Sequence, residues 1–198
     1  MNPLYTIGHS THEPQRFLEL LHQHNIDEVV DVRSQPYSRH TPWFSREPLE
    51  RALERAGISY VFLGRELGAR RAEGDCYVGG KASYDRIAAV PSFQQGMERI
   101  RQDAAVRRVA VMCAEKEPLD CHRTILVARH AAKFAKIFHI HADGSLEPHA
   151  ETEQRLRRLY GLFDSDLFLP PEAQLAEAYT RRGEEIAYVE ETTATTAP

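Results

Sequence analysis

Cysteine is scarce in this chain, and its spacing excludes the structural uses that it most often has. The 198 residues include three cysteines, Cys76, Cys113 and Cys121. An odd number without regular spacing does not form a disulfide framework, and the CxxC pairs typical of structural zinc sites are missing. A chain of this length buries roughly 70% of its unfolded surface. We therefore expect one domain that needs no disulfide, in a reducing cytoplasm.

Long apolar runs and an excess of basic charge are also missing. No stretch approaches the length of a membrane-spanning helix, and the N-terminus has no signal-peptide pattern. The formal net charge of −4 argues against a nucleic-acid binder that uses its whole surface, although a local basic cleft stays open. Neither GxGxxG nor a Walker motif occurs, which argues against dinucleotide or ATP-driven chemistry. We predict an anionic small molecule or nucleotide as ligand, leave nucleic acid open, and expect no membrane contact.

The most informative stretch runs from Val109 to Thr124. Its apolar start predicts a buried strand ending at Met112, and the segment from Asp120 predicts a helix with Asp120 as its N-cap. The loop between them concentrates reactive groups, namely Cys113, Glu115, Lys116, Cys121, His122 and Arg123. Ligands of open α/β sheets bind beyond the carboxyl ends of the strands, so we predict a functional site here.

Three chemistries fit this loop. In the first, Cys121 lies in the first helical turn, where the helix dipole and Arg123 lower the pKa of its thiol and make it a nucleophile. In the second, the first-turn N–H groups and Arg123 hold a phosphate or carboxylate of the substrate. In the third, Cys113, Cys121 and His122, with His9 as a further candidate, hold a metal ion. The sequence predicts no cofactor or metal on its own.

Two other strands end in polar residues. The apolar run Leu4–Ile7 leads into Gly8, His9 and Ser10, and glycine there permits a close backbone approach. A second strand, Asp27–Val32, carries Asp31 near its end and is followed by Arg33 and Arg39, which suggests a base or orienting carboxylate beside anion-binding arginines. For Arg70 and Arg71 we expect ordinary solvated surface charges.

Five strand-like runs alternate with helices, which predicts a single α/β domain with a three-layer, Rossmann-like, doubly wound parallel sheet. We place this domain at residues 1–162. A C-terminal helical extension follows, with a linker and docking helix at 163–189 and a disordered tail at 190–198. The irregular segment after Gly64 is a lid candidate, from which Tyr77, Lys81 and Tyr84 can reach a ligand.

Several motifs together resemble a known family. These are Thr6-Ile-Gly-His-Ser10, Asp31-Val-Arg33 with Pro36 and Ser38, Leu63-Gly64 with Leu67-Gly68, and Met112-Cys-Ala-Glu115 followed by Cys121-His-Arg123. The combination is similar to the bacterial family catalogued as domain of unknown function 488, over about Leu4 to Val189. The resemblance implies the α/β fold, and the family's name implies no activity.

The functional prediction has one leading and two competing forms. The leading form is a hydrolase or group transferase that acts on a phosphate-bearing substrate such as a nucleotide or a nucleic-acid end. In it Ser10, Arg33, Arg39, Lys116 and Arg123 bind the anion, Cys121 or Cys113 is the nucleophile, and His9, Asp31, Glu115 or His122 moves protons. The competing forms are a non-catalytic nucleotide or nucleic-acid binding module and a Cys/His metal-site protein.

Overall fold

The structure, a computed structural model, describes residues 2–162 and 170–190. The strands are β1 (Leu4–Gly8), β2 (Glu28–Asp31), β3 (Ser59–Phe62), β4 (Tyr77–Val78), β5 (Lys81–Ala82), β6 (Val109–Cys113), β7 (Ile137–Ile140) and β8 (Leu146–Pro148). The α-helices are α1 (Pro14–Gln23), α2 (Arg46–Arg55), α3 (Gly64–Leu67), α4 (Tyr84–Ala89), α5 (Pro91–Val106), α6 (Arg129–Ala131), α7 (His149–Leu159) and α8 (Pro171–Ile186). A π-helix, Arg123–Ala128, runs directly into α6.

Six strands form the central sheet in the order β3-β2-β6-β1-β7-β8. The first five are parallel, and β8 is an antiparallel edge strand. The predicted α/β fold with its C-terminal helix is thus confirmed. The strand β8 was not predicted, because it has three residues and ends in proline, which is tolerated in a strand only where no ladder hydrogen bond is needed.

Helices cover both faces of the sheet because the central strands are apolar on both sides. On β6, Ala110 and Met112 pack with α1 and α2, whereas Val109, Val111 and Cys113 pack with α3, α4, α5 and the π-helix. Side chains of a strand alternate between its two faces, so each strand contributes to two separate cores. These cores hold the carboxyl ends of the strands in fixed register.

The predicted helix start at Asp120 is wrong. Pro118–Asp120 form a 3₁₀ turn, Cys121 is extended, and the π-helix begins at Arg123. The N–H of Cys121 donates to the Pro118 carbonyl, and the N–H of Arg123 donates to Cys121 Sγ. Proline suits the first position of the turn, and 3₁₀ segments are usually short. Two of the first-turn N–H groups expected to bind an anion, those of Cys121 and Arg123, are therefore already used.

A chain of buried hydrogen bonds joins α8 to the sheet. Thr6 Oγ1 lies 2.7 Å from His139 Nδ1, and His139 Nε2 lies 2.9 Å from His149 Nδ1. The Tyr179 hydroxyl lies 3.1 Å from His149 Nε2 and donates to the Glu153 carboxylate at 2.9 Å. One set of neutral tautomers satisfies every contact, because each histidine donates through Nε2 and accepts through Nδ1. The chain therefore runs unbroken from β1 to α8.

Acidification is expected to destabilise the fold through these histidines. Burial and the charge of His149 lower the pKa of His139 well below its ordinary value, and burial lowers the pKa of His149. The unfolded chain takes up protons near pH 6.5 while the folded protein does not, so stability present above that pH is lost as the pH falls. We expect a loss of about 1 kcal/mol per pH unit for each histidine, measured by urea unfolding between pH 7.5 and 5.

The matched variants separate this effect from general acid sensitivity. His139→Gln removes one titrating group and should reduce the slope of stability against pH. The matched control is His40→Gln, at a histidine that is exposed and lies outside this hydrogen-bonded chain. Equal slopes in the native protein and the His139→Gln variant would contradict the prediction.

Among the described residues, no helix combines the length and apolar character needed to cross a membrane. The predicted division at residue 162 stays a prediction. The docking helix expected in the C-terminal extension corresponds to α8, which packs on α7 and the π-helix. Residues 163–169 of the expected linker and 191–198 of the expected tail lie outside the described residues.

Candidate functional site

The carboxyl ends of β2, β6 and β1 lie side by side and open onto one cavity of about 370 Å³. Five of the predicted site residues line it: His9, Arg33, Cys113, Glu115 and His122. Each of them follows or ends a parallel strand, or lies in the loop between β6 and the π-helix. The fold therefore brings together residues that are up to 113 positions apart in the chain, from His9 to His122.

A cluster of two cysteines and one histidine lies at the base of this cavity. The ligand atoms of Cys113, Cys121 and His122 all lie within 4.8 Å of one another. The 3₁₀ turn at Pro118–Asp120 makes this possible, because it reverses the chain and returns Cys121 to the end of β6. Cys113 and His122 reach the cavity wall, whereas Cys121 is 1% exposed and lies behind it.

The orientation of His122 is set by the backbone. Its Nε2 lies 3.0 Å from the Val32 carbonyl, and its Nδ1 lies 3.5 Å from Cys113 Sγ. A carbonyl only accepts hydrogen bonds, so Nε2 carries a proton. In the neutral ring Nδ1 then directs its lone pair at the two cysteines. This is the arrangement of a metal-binding histidine with an outer hydrogen-bond partner, or of a base that faces a thiol.

The surroundings of Cys121 favour the thiolate form. Burial alone would raise the pKa of the Cys121 thiol, but the hydrogen bond from Cys113 and the charge of Arg123 hold it well below its ordinary value. Burial raises the pKa of Cys113 well above its ordinary value, and burial next to Cys121 raises the pKa of Glu115. Cys121 Sγ lies 2.9 Å from Glu115 Oε2, so thiol and carboxyl share a proton.

Arg33 is fixed by a buried ion pair. Its Nε and Nη2 donate to the two carboxylate oxygens of Asp31 at 2.9 and 2.7 Å. Its Nη1 donates to His9 Nε2 at 3.0 Å, and His9 Nδ1 lies 2.9 Å from the Ser10 carbonyl. Burial and the charge of Arg33 lower the pKa of His9 to about 4. A neutral His9 therefore positions Arg33. Three of the five N–H bonds of the guanidinium are used in these contacts, and the other two are available to an anion.

Arg123 binds the backbone of the loop after β6. It is fully buried, and its Nη1 and Nη2 donate to the carbonyls of Glu115 and Lys116 at 2.6 and 3.1 Å. Its Nη1 and Nη2 thus bind backbone carbonyls of its own loop, and anion binding by Arg123 stays a prediction. The other predicted anion ligands Ser10, Arg39 and Lys116 do not line the cavity, and the last two are exposed.

The wall also includes residues that were not predicted as ligand contacts, among them Gln35, Tyr37, Arg70 and Tyr188. Arg70 was expected to be an ordinary surface charge, yet its backbone N–H bonds Ser34 Oγ at 2.9 Å at the rim of the cavity. One sequence signal for this contact was Gly68. A Cβ atom there would lie 2.3 Å from Ser34 Oγ, so the glycine indicates that the segment before Arg70 packs closely against Ser34. Of the predicted lid residues, Tyr84 lines the cavity and Tyr77 and Lys81 do not.

Arg71 also differs from expectation. It was predicted to be a solvated surface charge, but it is buried and forms an ion pair with Glu73 at 2.7 Å. It also donates to Ser92 Oγ at 2.5 Å and to two backbone carbonyls. It anchors the segment after α3 to the start of α5 and takes no part in the cavity.

The comparisons with known proteins give a family and nothing more specific. The sequence profile described as "Domain of unknown function DUF488" matches residues 13–130. This range includes Asp31, Arg33 and the Cys113–Arg123 loop but not His9. No curated protein and no solved structure matches the chain.

Proposed function

Since this chain belongs to the DUF488 family, whose description assigns no activity, we propose its function from the site: a metal-dependent hydrolase acting on a phosphate-bearing small molecule. The observation that carries the proposal is the clustering of the Cys113, Cys121 and His122 ligand atoms within 4.8 Å at the cavity wall. Two thiol groups and an imidazole are ligands preferred by zinc and similar soft divalent ions.

The burial of the two cysteines favours metal binding over a thiol nucleophile at Cys121. A nucleophile must reach its substrate, and Cys121 lies behind the cavity wall. A metal ligand needs no such access. Cys113, Cys121 and His122 would hold the ion, and this ligand count is that of catalytic zinc sites, which have three protein ligands and a water. The hydrogen bond from His122 to Val32 supplies the expected outer contact.

The remaining wall residues suit hydrolysis of a phosphate ester. When bound, a zinc ion would supply a water of lowered pKa as the attacking group. Arg33 would hold the phosphate through its two remaining N–H bonds. In the hydrolysis, the water oxygen would form a bond to phosphorus while the ester P–O bond breaks. A deprotonated Glu115 would accept the proton of the attacking water and return it to the departing alcohol oxygen.

Metal stoichiometry tests the proposal directly. Full-length protein purified without chelator should contain about one zinc-class ion per chain by elemental analysis, and hydrolysis of phosphomonoesters should require it. The variants Cys113→Ser, Cys121→Ser and His122→Ala should each lose most of the metal, because a site with three protein ligands binds weakly when one of them is removed. Cys76→Ala is the matched control, since Cys76 is also buried but lies outside the cluster. Metal-free protein that is active, or equal metal in all variants, would contradict the proposal.

A second candidate rests on the 3.5 Å contact between Cys113 Sγ and His122 Nδ1. With His122 oriented by Val32, this pair resembles a nucleophile with its base, and phosphoryl transfer would pass through a phosphocysteine. Mass spectrometry of metal-free protein after incubation with a phosphate ester should then show a phosphate adduct on Cys113. Phosphate binding without turnover or adduct would instead favour the non-catalytic binding module.

A further inference from the structure

The mouth of the cavity carries aromatic side chains that phosphate chemistry does not need. Tyr37 lines the cavity and is 71% exposed, the second largest value among the exposed large hydrophobic residues of the described chain. On the same wall the Arg70 guanidinium stacks 4.5 Å from the ring centre of Tyr188. An exposed aromatic ring at the edge of a concave polar site commonly marks a contact for a ligand.

The size and polarity of the cavity indicate a ligand longer than a phosphate group. A volume of about 370 Å³ is in the range of cavities that hold small organic ligands. Arg33 fixes the anionic end near the base of the cavity. Gln35 on the wall accepts a hydrogen bond from Arg70 through Oε1 at 3.1 Å. Its amide NH₂ group is thus left to donate to a ring nitrogen or carbonyl of the ligand.

We propose that the substrate is a free nucleoside monophosphate whose base stacks on Tyr37 at the cavity mouth. This inference rests on the proposed function, because it places the phosphate on Arg33 beside the metal cluster. Stacking of a base on an aromatic side chain tolerates any base, since every base has a π face. The net charge of −4 favours a free nucleotide over a polymer end, because binding a nucleic-acid backbone requires a basic surface.

Equilibrium binding measured by calorimetry separates the contribution of the base to the affinity from the contribution of the phosphate. The probes are AMP, UMP, ribose 5-phosphate, inorganic phosphate and a 5′-phosphorylated oligonucleotide, each titrated into the full-length protein. We expect AMP and UMP to bind about tenfold more tightly than ribose 5-phosphate, in line with the contribution of one stacked base. Tyr37→Ala should abolish this difference, and Tyr37→Phe should preserve it, because only the ring is needed. Tyr37 is exposed, so both variants should fold.

The possible failures are distinguishable. Equal binding of AMP and ribose 5-phosphate, or an unchanged ratio in Tyr37→Ala, would overturn the nucleobase contact and leave the phosphate site intact. Tighter binding of the oligonucleotide than of AMP would overturn the free nucleotide as substrate. If none of the phosphates bound, including inorganic phosphate, the proposed function itself would fail.

Discussion

Replacing Gly8 by alanine is expected to destabilise the protein by about 3 kcal/mol or more, above the usual cost of one added methyl group in a core. A Cβ atom at this position would lie 1.9 Å from the carbonyl oxygen of Glu115 and 3.3 Å from Arg123 Nη1. Neither neighbour can move freely, because the buried guanidinium of Arg123 binds that same carbonyl at 2.6 Å. The loop after β6 must therefore shift, and Glu115 must shift with it.

The matched control for this prediction is Gly74→Ala. Gly74 has no atom within 4 Å of the added Cβ, so an alanine there should change stability by less than about 0.5 kcal/mol. Urea unfolding of both variants gives the two free energies, and elemental analysis reports whether the metal cluster survives the loop shift. A Gly8→Ala protein as stable as Gly74→Ala would show that β1 and the Glu115 loop are not closely packed.

The positions of the site residues followed from the sequence because parallel strands impose a simple rule. Apolar runs ending before His9, Arg33 and Glu115 predict three carboxyl ends at one edge of a sheet, and the structure places all three residues around one cavity. The resemblance carried by the Cys113–Arg123 motif led to the same fold; the family match confirms the resemblance, and the sheet topology confirms the fold. Which strands are neighbours did not follow, since the order β2-β6-β1 depends on how distant helices pack.

Side-chain roles were harder to predict because they depend on contacts between distant segments. A basic side chain after a strand reads as an anion ligand, and Arg123 fits that pattern. Its actual partners are carbonyls seven and eight residues earlier, reached only because the Pro118 turn folds the loop back. Arg71 is buried for a similar reason, since Ser92 comes to it from α5. Local propensity gives no information on such partners.

Removing the carboxylate of Asp31 is expected to cost about 3–5 kcal/mol of stability and to abolish phosphate binding. Asp31 is fully buried, and it accepts hydrogen bonds from the Arg33 side chain, the Arg33 backbone N–H and the Tyr60 hydroxyl. Asp31→Asn keeps the side-chain volume but removes the counterion of Arg33, whose side chain is only 6% exposed. An unpaired buried charge costs far more than the net contribution of the pair that neutralised it.

A double-mutant cycle separates the effect of the unpaired charge on stability from the effect of altered packing. Asp31→Asn combined with Arg33→Gln removes both charges, so this variant should be more stable than Asp31→Asn alone by at least about 1 kcal/mol. Tyr60→Phe removes only one hydrogen bond to the same carboxylate and should cost about 1 kcal/mol, which makes it the matched control. The double variant should still bind no phosphate, because the anion site is the Arg33 guanidinium itself. If the effects of Asp31→Asn and Arg33→Gln were simply additive, the ion pair would not be what holds Arg33 at the cavity.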